Sequence, residues 1–178
     1  MDKLVESVER QRTECRDIRG CVQDAVAEKL REDNLEAENV RKRRCNVMIH
    51  GLGEAESEDA ETRKKYDEDI VTEILHVMKC DDVSVDSAVR FGKYELDKGG
   101  NRRPMRLVAA SEQQKDKILR MAKNLRRHAE YKNVYIHQDL TPKQREKRRQ
   151  LVEEMKLRKQ KGEEDLIIVG DRIMQRKP

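Results

Sequence analysis

Two short runs of cations carry the chemistry in this sequence, and both are spaced for binding rather than for making bonds. Arg41, Lys42, Arg43 and Arg44 stand side by side just before an alternating run, Asn46 to His50. Lys143, Arg145, Lys147, Arg148 and Arg149 crowd into a second stretch. Guanidinium forks match phosphate oxygens, and a dense charge of one sign attracts a polyanion. His50, Arg90, Tyr94, Arg106, Tyr135 and His137 are further candidates, because cations pair with phosphates and flat rings stack on bases. Nucleic acid is the partner such a set suits.

Catalysis has no comparable constellation. There is no Walker loop, no HExxH and no GxSxG. Gly51-Leu52-Gly53 is too short to cradle a phosphate, and the four histidines are scattered. Cys15, Cys21, Cys45 and Cys80 form no CxxC pair, so neither a zinc site nor a disulfide framework is expected. No cofactor and no metal are called for. Free thiols fit a reducing compartment, cytoplasmic or nuclear. No apolar run approaches the ~20 residues of a bilayer span, and the N-terminus has no signal-peptide core.

The elements that position these cations follow from charge and periodicity. The net charge of +4 is uneven: residues 1–40 carry 7 Lys/Arg against 11 Asp/Glu, and residues 41–178 carry 33 against 25. Leu4, Val8, Gln11, Cys15, Ile18, Val22 and Ala25 recur at alternating spacings of four and three, which is a heptad seam. The seam then shifts to Val26, Leu30, Ala37 and Val40, as a stutter would make it. A coiled coil is expected over residues 1–44, and a helix of about 40 residues is roughly 60 Å long at ~1.5 Å per residue. With no other surface in the chain to cover its stripe, it should self-associate through Leu4, Val8, Ile18, Val22, Val26 and Leu30. The abrupt start at Met1 suggests a longer coiled coil cut short.

Residues 45–138 read as β-α-β-β-α-β. Asn46 to His50 is the first strand. An amphipathic helix from about Asp59 to Lys79 places Tyr66, Ile70, Ile74, Val77 and Met78 on one face. Val83 to Phe91 alternates, with Val85, Val89 and Phe91 on one side and Ala88 and Arg90 on the other. Met105, Leu107 and Ala109 face the core of a third strand while Arg106 and Val108 face away. Ser111 with Gln114 forms a capping box that opens a helix through Ile118 and Leu125. Asn133 to His137 is the fourth strand, with Tyr135 and His137 outward. This order is that of a ferredoxin-like domain, an α+β fold whose helices cover one sheet face. The expected open face holds His50, Arg90, Arg106, Tyr135 and His137, with Tyr94 at its edge. The stacking aromatics usual on the first and third strands of RNA-recognition domains are replaced by Met48, His50, Arg106 and Val108.

Residues 139–178 form a C-terminal subdomain. Thr141 as N-cap, Pro142 at the first position and Gln144 at the third open a helix running to about Gln160. Its first half is cationic, and Leu151, Val152 and Met155 are its packing stripe. Leu166 to Val169 and Ile173 to Met174, joined by Gly170-Asp171, read as a β-hairpin.

In blocks along its length, RRCNVMIHGLGE, VRFGK, RPMRLVAASEQQKDKILRMAK, VYIHQDLTPKQREKRRQL and LIIVGDRIMQR, the chain resembles the RNA-binding protein encoded by the first open reading frame of LINE-type non-LTR retrotransposons. The resemblance implies a trimerising coiled coil, an atypical RNA-recognition domain and a C-terminal domain closing over single-stranded nucleic acid. It implies a nucleic-acid chaperone that coats its own transcript in a cytoplasmic ribonucleoprotein, with the nucleus as a second location and single-stranded DNA as a second ligand. It places the family's RNA-binding arginine pair on Arg148 and Arg149. The heptad region here is short and imperfect, so a homotrimer is expected from resemblance and a dimer is the second choice. The rival reading is a coiled-coil scaffold whose globular part binds a protein.

Overall fold

The computed structural model describes residues 2–94 and 102–176, with side chains from Asp17 onward except Ile18. The chain is an α+β protein that opens on a long helix and divides into two compact units, residues 1–41 and 42–178.

Helix α1 spans Asp2–Arg43 without interruption. Val22, Val26 and Leu30 are each more than half exposed along it. The seam residues Leu4, Val8 and Ile18 lie outside the described side chains.

The second unit runs β1 (Asn46–His50), α2 (Ala60–Val77), β2 (Val85–Arg90), β3 (Met105–Ala109), α3 (Glu112–Met121), β4 (Tyr135–Gln138), α4 (Pro142–Gln160), β5 (Leu166–Val169) and β6 (Arg172–Gln175). Strands β1 to β4 form one sheet in the order β2-β3-β1-β4, with each neighbouring pair antiparallel. Strands β5 and β6 make a separate hairpin.

Helix α2 starts where Asp59 caps it, the carboxylate accepting the Thr62 N–H at 2.8 Å. Val71, Ile74, Leu75 and Met78 go into the core, so the buried stripe is rotated from the expected one and leaves Tyr66 exposed. Helix α3 is shorter than its periodicity suggests and passes at Ala122 into a 3-10 segment that still buries Leu125. These helices cover one sheet face, meeting Val47, Ile49, Met105, Leu107 and Ala109. At the end of β1, Gly51 has φ +79°, and a Cβ there would collide with the carbonyl oxygen of Asn133, so the turn requires glycine.

Two local expectations change. Ser111 caps α3 by accepting the Gln114 N–H, but the Gln114 side chain accepts the Ser84 N–H and ties the helix start to the loop before β2. In β2 a bulge between Val85 and Ser87 interrupts the alternation. Beyond it Ala88 and Arg90 turn toward the helices, and Val89 and Phe91 are left exposed.

Candidate nucleic-acid interface

The sheet face without helices is built by alternation. Val47, Ile49, Met105 and Leu107 are buried beneath it, which leaves Met48, His50, Arg106 and Val108 half-buried on the other side. Tyr135 is 62% exposed, in register with His50, while Met48 stands between His137 and Arg106. The rings of His50 and His137 stack with centroids 4.8 Å apart and planes 18° from parallel. Burial, and then the neighbouring His137, push the His50 imidazole below its ordinary pKa of 6.5. At neutral pH His50 therefore offers a flat ring rather than a fixed charge.

A second surface adjoins this one. His137, Gln138, Leu140, Gln144, Arg148, Leu151, Gly170 and Asp171 line a cleft of about 510 Å³ between the end of β4, the first turns of α4 and the β5–β6 turn. The capping box that sets α4 is complete: Gln144 N–H donates to the Thr141 hydroxyl, and the Gln144 side chain accepts the Thr141 N–H at 3.0 Å. Pro142 fixes the first turn, so the helix leaves β4 at a defined angle. Lys147 reaches Asp171 at 2.5 Å and holds the hairpin turn against the helix. Arg148 lines the cleft, and among the described residues no carboxylate pairs with it. His137 belongs to both surfaces, stacking on His50 and lining the cleft.

Other candidate residues lie elsewhere. Arg149 is exposed and donates to Glu146 at 2.8 Å, a pairing that draws the Glu146 carboxyl below its usual range. It is not among the cleft's lining residues, so the expected arginine pair divides. Arg145 and Lys143 are exposed on the first turns of α4. Arg43 donates to Asp139 at 2.9 Å, and the same buried carboxylate accepts Asn46 Nδ2 at 3.0 Å, which ties β1 to the β4–α4 junction. Arg44 pairs with Glu112 at 3.4 Å. Arg41 and Lys42 are exposed at the end of α1.

Arg90 and Tyr94 correct the expectation most clearly. The bulge turns Arg90 away from the open face, and its guanidinium is saturated by Asp67, by Glu54 and by the carbonyls of Leu52, Gly53 and Arg103. Tyr94 donates to Ala55 O at 3.1 Å and accepts the Ser57 N–H at 3.0 Å, with the Arg63 guanidinium carbon 4.1 Å from its ring centroid. Both hold the loop that leads into α2. What the sequence reading missed on the open face is Phe91, with Arg106 lying over its ring at 5.0 Å. Its signal was the polar pair Asp86-Ser87, the residues that break strict alternation.

Among the described residues no group of three or more His, Cys, Asp or Glu is placed to hold a metal, and no helix is long and apolar enough to cross a membrane. The arrangement places one arginine, Arg148, in a cleft whose lining continues through His137 onto a face of flat rings, His50 and Tyr135 among them. An arginine can meet a phosphate, while flat rings can stack on bases. Neither the protein-family models nor the curated proteins compared with the chain give a match, so the reading rests on these residues.

Proposed function

We propose that the protein binds single-stranded RNA, largely without regard to sequence, and coats it as a chaperone within a retrotransposon ribonucleoprotein. The observation that carries this reading is the cleft beside β4, where Arg148 has no carboxylate partner among the described residues and His137 continues the surface onto the open sheet. Residues 45–138 are read as a ferredoxin-like RNA-recognition domain. The antiparallel order β2-β3-β1-β4 with helices on one face supports that assignment. Residues 139–178 supply the phosphate-binding wall, and residues 1–44 self-associate, with a homotrimer favoured over a dimer. The exposed Val22, Val26 and Leu30 support the last point, since a helix displaying such a stripe gains by burying it.

Linked copies raise the effective concentration of each site on one strand, which is how modest individual affinity becomes coating. No reaction is assigned to the site, whose groups bind and stack. Binding of the full chain to single-stranded RNA at two salt concentrations tests the proposal. Binding that weakens with salt is the expected result, and no binding at low salt would contradict it.

A further inference from the structure

Phe91 is the chain's one phenylalanine, and a lone large apolar ring belongs in the core of a domain this small. It is instead 41% exposed, next to Val89 at 46%. The bulge in β2 brings both to the sheet face that carries no helix, so their exposure is built into the backbone.

Arg106 stands in register with Val89 on β3, and its guanidinium carbon lies 5.0 Å from the Phe91 ring centroid. Its Nε is buried and has no hydrogen-bond partner among the described residues. The other arginines at this end of the sheet are treated differently: Arg90 and Arg103 are both tied to carboxylates and carbonyls. Among the described residues Arg106 is set against an aromatic ring, with no carboxylate paired to it.

A ring and a cation left together at the surface favour one kind of ligand. A phosphate would use the guanidinium but gives no reason for an exposed Phe91. An apolar peptide would cover Phe91 and Val89 but leave the guanidinium donors unpaired as water is driven out, which is unfavourable. An unpaired nucleobase uses both, stacking on the ring and guanidinium while its keto oxygens or ring nitrogens accept from the arginine.

We propose that Phe91 and Arg106 form a nucleobase-stacking subsite at the β2 side of the open face. It rests on the RNA-binding reading and deepens it, giving the strand a second point of attachment. A strand running from the cleft beside β4 to this subsite crosses three inter-strand spacings, roughly 14 Å at ~4.8 Å each, and passes over His50 and His137. The subsite reads the presence of a base, and the cleft reads the backbone.

The test compares the full-length protein with Phe91→Ala, Phe91→Leu and Phe91→Tyr on two probes, a single-stranded RNA and the same strand with abasic positions. Phe91→Ala should bind the base-bearing strand about tenfold more weakly, with an unchanged slope of log affinity against log salt. It should match the unsubstituted protein on the abasic strand. Phe91→Tyr should restore binding, and Phe91→Leu, which keeps the apolar bulk without the ring, should not; the leucine variant also serves if alanine lowers the thermal melt. Equal affinity of Phe91→Ala and the unsubstituted protein for the base-bearing strand overturns the subsite. So does an equal loss on both strands, or full rescue by leucine. If the unsubstituted protein binds neither strand, the RNA-binding reading itself falls; if it binds both and the variants are indistinguishable from it, only the subsite falls.

Discussion

The guanidinium of Arg90 lies 2.8 Å from the Asp67 carboxylate, and only 2% of the arginine side chain reaches solvent. This cation belongs to the fold. It joins β2 to α2 through Asp67 and to the loop after β1 through Glu54, so removing it takes the cation from the largely buried Asp67 carboxylate, while Glu54 keeps Arg103. Arg90→Ala should lower the unfolding free energy by about 3–5 kcal/mol, the range for breaking one partner out of a buried ion pair. Urea unfolding followed by circular dichroism measures this, and a loss under about 1 kcal/mol, the scale of a surface pair, would show that Arg90 is not a buried anchor.

Acid should loosen the same end of the domain. Burial by itself pushes the Glu54 carboxyl up, but the hydrogen bond from Arg103 and the charges of Arg90 and Arg103 together outweigh it and hold the group below its ordinary 4.5. A carboxyl with a depressed folded-state pKa stabilises above its unfolded value, and that contribution is lost as pH falls through the folded one. Glu54→Gln should therefore flatten the decline in stability below about pH 4.5. A variant whose stability profile in this window runs parallel to that of the unsubstituted protein would contradict the assignment.

His50 gives a second, separable pH effect. Its imidazole is held below 6.5, first by burial and then by His137, so the folded protein binds this proton less readily than the unfolded chain. Its contribution is present above pH 6.5 and is lost as pH falls through the depressed value. His50→Gln should remove that decline between neutral pH and the acid window of Glu54, measured as chemical-denaturation midpoints across the range. A steeper decline in the variant would be the wrong sign.

Readout of sequence should be slight. Met48 and His50 occupy β1 where stacking aromatics would otherwise read bases, and the cleft offers an arginine for phosphate. Affinities for unrelated single strands of equal length should agree within about tenfold, which is about 1.4 kcal/mol. A thousandfold preference for one short sequence would refute a backbone-led mode.

Self-association is expected to depend on the exposed apolar stripe of α1. Val26→Asp with Leu30→Asp places charge on that stripe and should yield a monomer in sedimentation equilibrium, while the unsubstituted chain is an oligomer at tens of micromolar. An unsubstituted chain that sediments as a monomer would remove the coiled coil from the account.

Local signals in the sequence carried the element positions well, because each is a short-range physical device. Thr141, Pro142 and Gln144 together can do little except start a helix, and α4 begins there with both halves of its capping box made. The alternation in Met105 to Ala109 needs only a one-sided core, and its burial follows it residue by residue. Facing in β2 was not legible in the same way. One extra residue at the bulge reverses every side chain beyond it, so Arg90 and Phe91 exchanged the roles that simple alternation gives them. Partners distant in sequence were also hidden. Nothing near Gln114 shows that its side chain will serve the Ser84 N–H, and nothing near Tyr94 shows that Ala55 and Ser57 will engage its hydroxyl. The division between Arg148 and Arg149 has the same origin, since a single helical step sets one in the cleft and leaves the other beside Glu146.

That division makes the central claim directly measurable. If Arg148 contacts one phosphate of a single strand, Arg148→Ala should make the slope of log affinity against log salt shallower by ~0.7, the value for one single-strand phosphate contact. Its thermal melt should be unchanged, because the side chain is exposed and lines an open cleft. Arg149→Ala, which breaks only an exposed pair with Glu146, should leave the slope where it was. Salt titration of RNA binding by the unsubstituted protein and the two single variants is the measurement. A folded Arg148→Ala variant with unchanged affinity and unchanged slope would contradict the account, leaving α4 a solvated helix and the cleft without a phosphate.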